Sequence, residues 1–193
     1  MTNRCAFLLS LLLAPLLLTP ACTGLREPVP GVWRSPQPGE DELARRIDRL
    51  QLRSVVSLRG DGDGTASSRR AAENGGASFF HVPMSATRMP APETLLDLWR
   101  IAGQAERPVL LHCRAGADRT GLASAIFVLY DTGDLDAARG ELSLLPHGHL
   151  GFTATGAMDA VLDGFAPYAG KLTFPEWVAQ VYKPSTAGEA MPR

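Results

Sequence analysis

After Gly31 the spacing of apolar and polar positions alternates between strand and helix periods. Val32, Trp33 and Arg34 form a short strand candidate closed by Ser35-Pro36-Gln37-Pro38. Residues 39–50 follow as a helix, since Leu43, Ile47 and Leu50 recur at helical spacing. Glu40, Asp41 and Glu42 stand in its first turn, where the helix dipole favours acids. Residues 54–58 are short and β-branched and read as a buried strand. The glycine-rich stretch 59–65 reads as a loop, and residues 66–73 as a short helix. A strand over 78–82, stopped by Pro83, precedes a proline-rich loop over 83–92. Residues 93–106 form an amphipathic helix, entered at Pro92, and 108–112 a buried strand. A helix opens near Arg119 and runs through 122–130, and further helices are expected over 135–145, 154–165 and 175–182. Strand–helix alternation followed by a helical half predicts a single compact α/β domain, with a mostly parallel central sheet flanked by helices. Sites on such sheets lie at the carboxyl ends of strands, which directs attention to residues 112–121.

The first 21 residues differ from the rest. Arg4 is their only charge, and residues 6–18 are an apolar run broken by Ser10 and Pro15. That length suits the core of an export signal and falls short of a membrane-spanning helix. Thr19-Pro20-Ala21-Cys22 follows, so residues 1–21 are expected to be a lipoprotein-type signal with Cys22 lipidated. Simple cleavage after Ala21 is the alternative. Residues 22–30 read as a linker, 31–183 as the folded domain and 184–193 as a disordered tail. The expected location is therefore the periplasm or a membrane-anchored position in a bacterial envelope. Of the three cysteines, Cys5 leaves with the signal and Cys22 takes the lipid, so Cys113 stands alone as a candidate reactive thiol. The 193 residues carry a net charge of −1 and no polybasic patch, which argues against a nucleic-acid partner. A monomer is expected.

The buried strand 108–112 runs directly into His112-Cys113-Arg114-Ala115-Gly116-Ala117-Asp118-Arg119-Thr120-Gly121. The residues between Cys113 and Arg119 can curl so that their backbone N–H groups point inward. Such a nest at a helix N-terminus binds a dianion. Gly116 permits backbone angles that other residues avoid. Arg119 can fork two donors onto two phosphate oxygens. The same positive surroundings favour a Cys113 thiolate, and the Thr120 hydroxyl can stabilise sulfur as a leaving group. Arg114, Ala115, Gly116, Ala117, Asp118 and Arg119 are the phosphate-binding candidates.

This stretch resembles the cysteine-dependent phosphatase superfamily, whose signature is His-Cys-x5-Arg-(Ser/Thr)-Gly. More loosely, Arg34 to Pro38, Ser54 to Arg59 and Phe80-His81-Val82-Pro83-Met84 look like bacterial exported dual-specificity phosphatases. The resemblance implies a dual-specificity-like fold and hydrolysis of phosphomonoesters, on phosphotyrosine and also phosphoserine or phosphothreonine, through a phosphocysteine on Cys113. It implies no metal and no organic cofactor. Arg119 and the loop amides stabilise the transition state, and an acid protonates the leaving oxygen. The acid is less obvious. The family's aspartate precedes the cysteine on a separate loop, yet residues 83–92 contain no acid and Glu93 lies just past them. Asp118 is the first candidate, resembling a loop aspartate proposed as acid in lipid phosphatases. Asp61 and Asp63 come second, and an enzyme without the acid is a third case. A phosphate-binding pseudophosphatase is the rival reading. An inositide or small-molecule phosphatase is another, suggested by Arg114 and weakened by Ala117. His112 is expected to orient the loop through backbone hydrogen bonds, Arg34 and Arg59 to brace the site or satisfy carbonyls, and His81 to pack at its edge. His147 and His149 read as a polar loop rather than a metal pair.

Overall fold

The structure, a computed structural model, describes residues 24–184. The proposed signal, Cys22 and the tail beyond Pro184 lie outside the described residues. Among those described, five strands form one sheet: β1 (Arg26–Val29), β2 (Val32–Ser35), β3 (Ser54–Ser57), β4 (Ser78–His81) and β5 (Val109–His112). The order across the sheet is β1-β2-β5-β3-β4, and every pair is parallel except β1 with β2.

Side chains alternate across the sheet, so neighbours along one strand enter different cores. Leu110 and Val55 pack with Leu43 and Ile47 of α1 (Glu40–Leu50) and Ala71 and Ala72 of α2 (Asp63–Asn74). Val109, Leu111 and Val56 face the opposite core. That side is built from α3 (Pro92–Gln104), α4 (Asp118–Thr132), α5 (Leu135–Gly140), α6 (Asp159–Phe165) and α7 (Phe174–Gln180). Helix α4 is buried at every residue from Thr120 to Leu129. It lies against the sheet and between α3 and α5, which is why its sequence is apolar all round rather than on one face. This buried helix holds the loop after β5 on a rigid support.

Three local expectations are corrected. Residues 26–29, read as linker, form an edge strand because they pair antiparallel with β2. Helix α2 begins at Asp63, three residues early, because the Gly62 carbonyl accepts from both Thr65 and Ala66 N–H at 3.0 Å. Gly64 then serves close packing: a Cβ there would lie 2.7 Å from Gln37 Nε2 and still closer to the Arg59 guanidinium. Helix α5 stops at Gly140 rather than running to residue 145, and residues 143–153 are irregular apart from turns. Glu141, at the end of α5, is held by Arg34.

Candidate active site

The parallel register aligns Ser35, Ser57 and His112 at the carboxyl ends of β2, β3 and β5. The chain leaves the sheet there as residues 113–117 and enters α4 at Asp118. Cys113 is buried at the base of this loop, and the Gly116 N–H donates to its Sγ at 3.3 Å.

The loop's peptide planes are oriented from outside. The Arg34 guanidinium, buried on β2, donates to Gly116 O at 2.8 Å and Ala117 O at 3.3 Å. The Gln37 N–H donates to Arg114 O at 3.3 Å. Because a trans peptide sets its N–H opposite its C=O, drawing these carbonyls outward turns the N–H groups of residues 115, 117 and 118 the other way. The result is a set of inward donors next to the sulfur, suited to a phosphoryl dianion.

Arg34 is itself fixed by a buried ion pair. It reaches Glu141 Oε2 at 2.6 Å and Glu141 O at 2.8 Å, while Ser124 Oγ donates to the same carboxylate at 2.7 Å. Burial pulls the Arg34 guanidinium below its ordinary value, and Glu141 opposes that pull. Gly116 has φ +76°, and a Cβ there would lie 2.4 Å from Pro36 N and 2.7 Å from the Ser35 carbonyl carbon. Both the conformation and the close approach of β2 therefore demand glycine.

Arg119 donates to Leu58 O at 3.4 Å, and its buried Nε has no partner among the described residues. Thr120 Oγ1 is also buried without a partner. Both are therefore free donors close in sequence to the cysteine, the arrangement a bound phosphate and a departing thiolate require. Arg114 and Ala115 are exposed.

His112 is fully buried, and neither ring nitrogen has a hydrogen-bond partner among the described residues. Burial pushes its pKa down to about 4, so the ring is neutral at ordinary pH. Its backbone carbonyl accepts from the Leu58 N–H at 2.9 Å, which ties the start of the loop to the residue that follows β3.

The acid candidates separate. Asp61 is fully exposed and its carboxylate lies 3.9 Å from His81 Nδ1, while Asp63 opens α2. Glu93 sits in the first turn of α3. Asp118 belongs to the phosphate loop itself, half-buried at the start of α4, and its Oδ1 lies 2.8 Å from His149 Nδ1. His149, in the polar loop read from the sequence, is buried, and its Nε2 lies 2.6 Å from Asp159 Oδ2. Sequence reasoning missed this cluster because its members lie 31 and 10 residues apart and share no local pattern. Arg59 extends the rim by bonding Gln37, which in turn donates to Gly64 O, and His81 Nε2 lies 2.7 Å from Arg59 O.

Comparison with known proteins agrees with this geometry. A family model described as "Polymorphic toxin system, DSP-PTPase phosphatase" matches residues 32–133, more than half of the chain. The dual specificity protein phosphatase TpbA of Pseudomonas aeruginosa strain PAO1 is 33% identical over 124 residues, 63% of this chain and 53% of TpbA. The chain thus spans about half the length of the curated relatives it matches. The crystal structure of P. aeruginosa TpbA superposes with TM-score 0.57 at 28% identity, covering 77% of this chain and 92% of that one. A cysteine-to-serine TpbA variant in complex with pTyr gives TM-score 0.57 at 26% identity, covering 79% and 93%.

Proposed function

Since the chain belongs to the DSP-PTPase phosphatase family, we propose that it is a cysteine-dependent phosphatase acting on phosphomonoesters, phosphotyrosine foremost and phosphoserine or phosphothreonine as well. The observation that carries this reading is the loop between β5 and α4. It sets Cys113 Sγ below inward amides whose carbonyls Arg34 and Gln37 hold outward, with Arg119 at the far end. The TpbA variant bound to pTyr supports the choice of phosphotyrosine.

In the first step the Cys113 thiolate attacks phosphorus in line. An Sγ–P bond forms, and the P–O bond to the leaving group breaks with its electron pair going to oxygen. Asp118 supplies the proton to that oxygen. Charge on the equatorial oxygens is met by Arg119 and the loop amides, which are already oriented before substrate arrives. In the second step water attacks phosphorus, Asp118 takes its proton, and the Sγ–P pair returns to sulfur. The Thr120 hydroxyl donates to that sulfur. The neutral His112 does not compete with the loop for the dianion.

The apolar N-terminal segment and Cys22 support an exported, lipid-anchored enzyme, which acts as a monomer in the bacterial envelope. Hydrolysis of p-nitrophenyl phosphate by the full chain under reducing conditions, with chelator present, tests the activity. Wild type turns over and Cys113→Ser does not; an inactive but folded and reduced wild type would point to phosphate binding without turnover. Labelling with radioactive palmitate in a bacterial host tests the anchor, and label that survives Cys22→Ala would refute it.

A further inference from the structure

His149 lies outside the phosphatase signature, yet it is almost fully buried between two carboxylates. Its Nδ1 is 2.8 Å from Asp118 Oδ1 and its Nε2 is 2.6 Å from Asp159 Oδ2. We propose that His149 is a positioning residue for the reaction, clamping the Asp118 carboxyl by one oxygen and leaving the other for proton exchange with the substrate. This rests on the reading of Asp118 as the acid.

A neutral imidazole carries one N–H, so it would aim a lone pair at one of the two carboxylates. Only the imidazolium donates to both. Burial opposes that charge, but the bonds to Asp159 and Asp118 outweigh it and raise the His149 pKa above its ordinary value. The charges facing the ring come from Asp118 on α4 and Asp159 on α6. Arg139 of α5, beside Asp159, is turned to Asp163 at 2.7 Å, and His147 lies 3.7 Å from Glu141. The segment around the ring is shaped for this contact: a Cβ at Gly151 would lie 2.9 Å from Asp159 Oδ2, and Thr153 and Thr155 both donate to Leu150 O.

With Oδ1 fixed, Oδ2 of Asp118 is the oxygen that gives its proton to the leaving group and later takes one from water. His149 exchanges no proton with the substrate in either step; its part is to hold Oδ1. The negative charge that appears on Asp118 as the P–O bond breaks faces a cation already in place, with no reorganisation needed.

The test compares the full chain with Asp118→Asn, His149→Gln, Asp159→Asn and the Asp118→Asn/His149→Gln double variant. Each is assayed on p-nitrophenyl phosphate, whose leaving group needs little protonation, and on phenyl phosphate, whose leaving group needs more. General-acid loss costs about a hundredfold or more, so Asp118→Asn should fall by that order on phenyl phosphate and far less on the nitrophenyl ester. His149→Gln should fall about tenfold on phenyl phosphate, mainly in kcat, because a misplaced acid still transfers some protons. Asp159→Asn should fall in the same direction, and it carries the comparison if His149→Gln lacks a cooperative melt. Adding His149→Gln to Asp118→Asn should produce no further dependence on the leaving group. An Asp118→Asn chain with no leaving-group dependence overturns the acid reading and the clamp with it. A leaving-group-dependent Asp118→Asn beside a His149→Gln chain that keeps the wild-type ratio, or that loses both activities equally, overturns the clamp alone.

Discussion

Arg34 donates to the Gly116 carbonyl at 2.8 Å while holding Glu141 at 2.6 Å, so one buried guanidinium joins β2, the phosphate loop and the end of α5. The loop's inward amides therefore depend on a side chain 82 residues before Gly116. Removing one member of a buried pair costs about 3–5 kcal/mol, because the other charge is left uncompensated. Arg34→Met should destabilise the chain by that order in a urea melt. Pairing it with Glu141→Leu should recover much of the stability and none of the activity, since the carbonyls of Gly116 and Ala117 remain unheld. A double variant with wild-type kcat/KM would show that Arg34 does not set the loop.

Gly116→Ala probes the loop without touching a charge. Its φ of +76° disfavours a side chain, and the new Cβ would collide with Pro36 N and the Ser35 carbonyl carbon. The loop must shift by a large fraction of an ångström, and misplacement of that order costs about a hundredfold in rate. The expected result is a large loss of kcat/KM with near-native helix content by circular dichroism. Unchanged kinetics would mean that the loop tolerates a different path.

Acid sensitivity follows from His112. Its folded pKa is about 4, below the unfolded value of about 6.5, so the unfolded chain binds the proton first. Its contribution lowers stability as pH falls from about 6.5 toward 4, by on the order of 3 kcal/mol across that window. Urea melts of wild type and His112→Gln should diverge in slope there, with the variant less dependent on pH. Parallel curves would contradict a buried neutral ring.

His149 acts with the opposite sign. Its folded pKa is raised, so its stabilisation is complete below the unfolded value and is lost as pH rises through the folded value. As pH rises above the ordinary histidine value, wild type should lose stability that His149→Gln never had. An NMR titration of the ring should report protonation above the ordinary histidine range, and titration at or below that range would oppose the bridged geometry.

What the sequence displayed was whatever is local. The apolar run of β5, the ten residues from His112 to Gly121 and the glycine at 116 announce a strand, a turn and a helix N-terminus in consecutive order. The run at β3 was equally legible because burial on both faces leaves a short β-branched stretch, and β2 and β4 were marked by the prolines that close them. Strand β1 was not, since Arg26-Glu27-Pro28-Val29 has a linker's composition and becomes a strand only by pairing with β2. Gly62 and Gly64 suggested a loop, yet one starts α2 and the other makes room for Gln37 and Arg59. The contacts of Arg34 with residues 116 and 141, and of His149 with residues 118 and 159, are long-range pairings that no local spacing encodes.

The central claim is that Cys113 carries the phosphoryl group. Acid quench of the full chain during turnover of p-nitrophenyl phosphate, followed by mass spectrometry of its peptides, tests it most directly. A phosphate on the peptide containing Cys113, absent from the Cys113→Ser chain along with all turnover, is the predicted result. Turnover that persists in Cys113→Ser, with no phosphate on that peptide in the wild type, would contradict it.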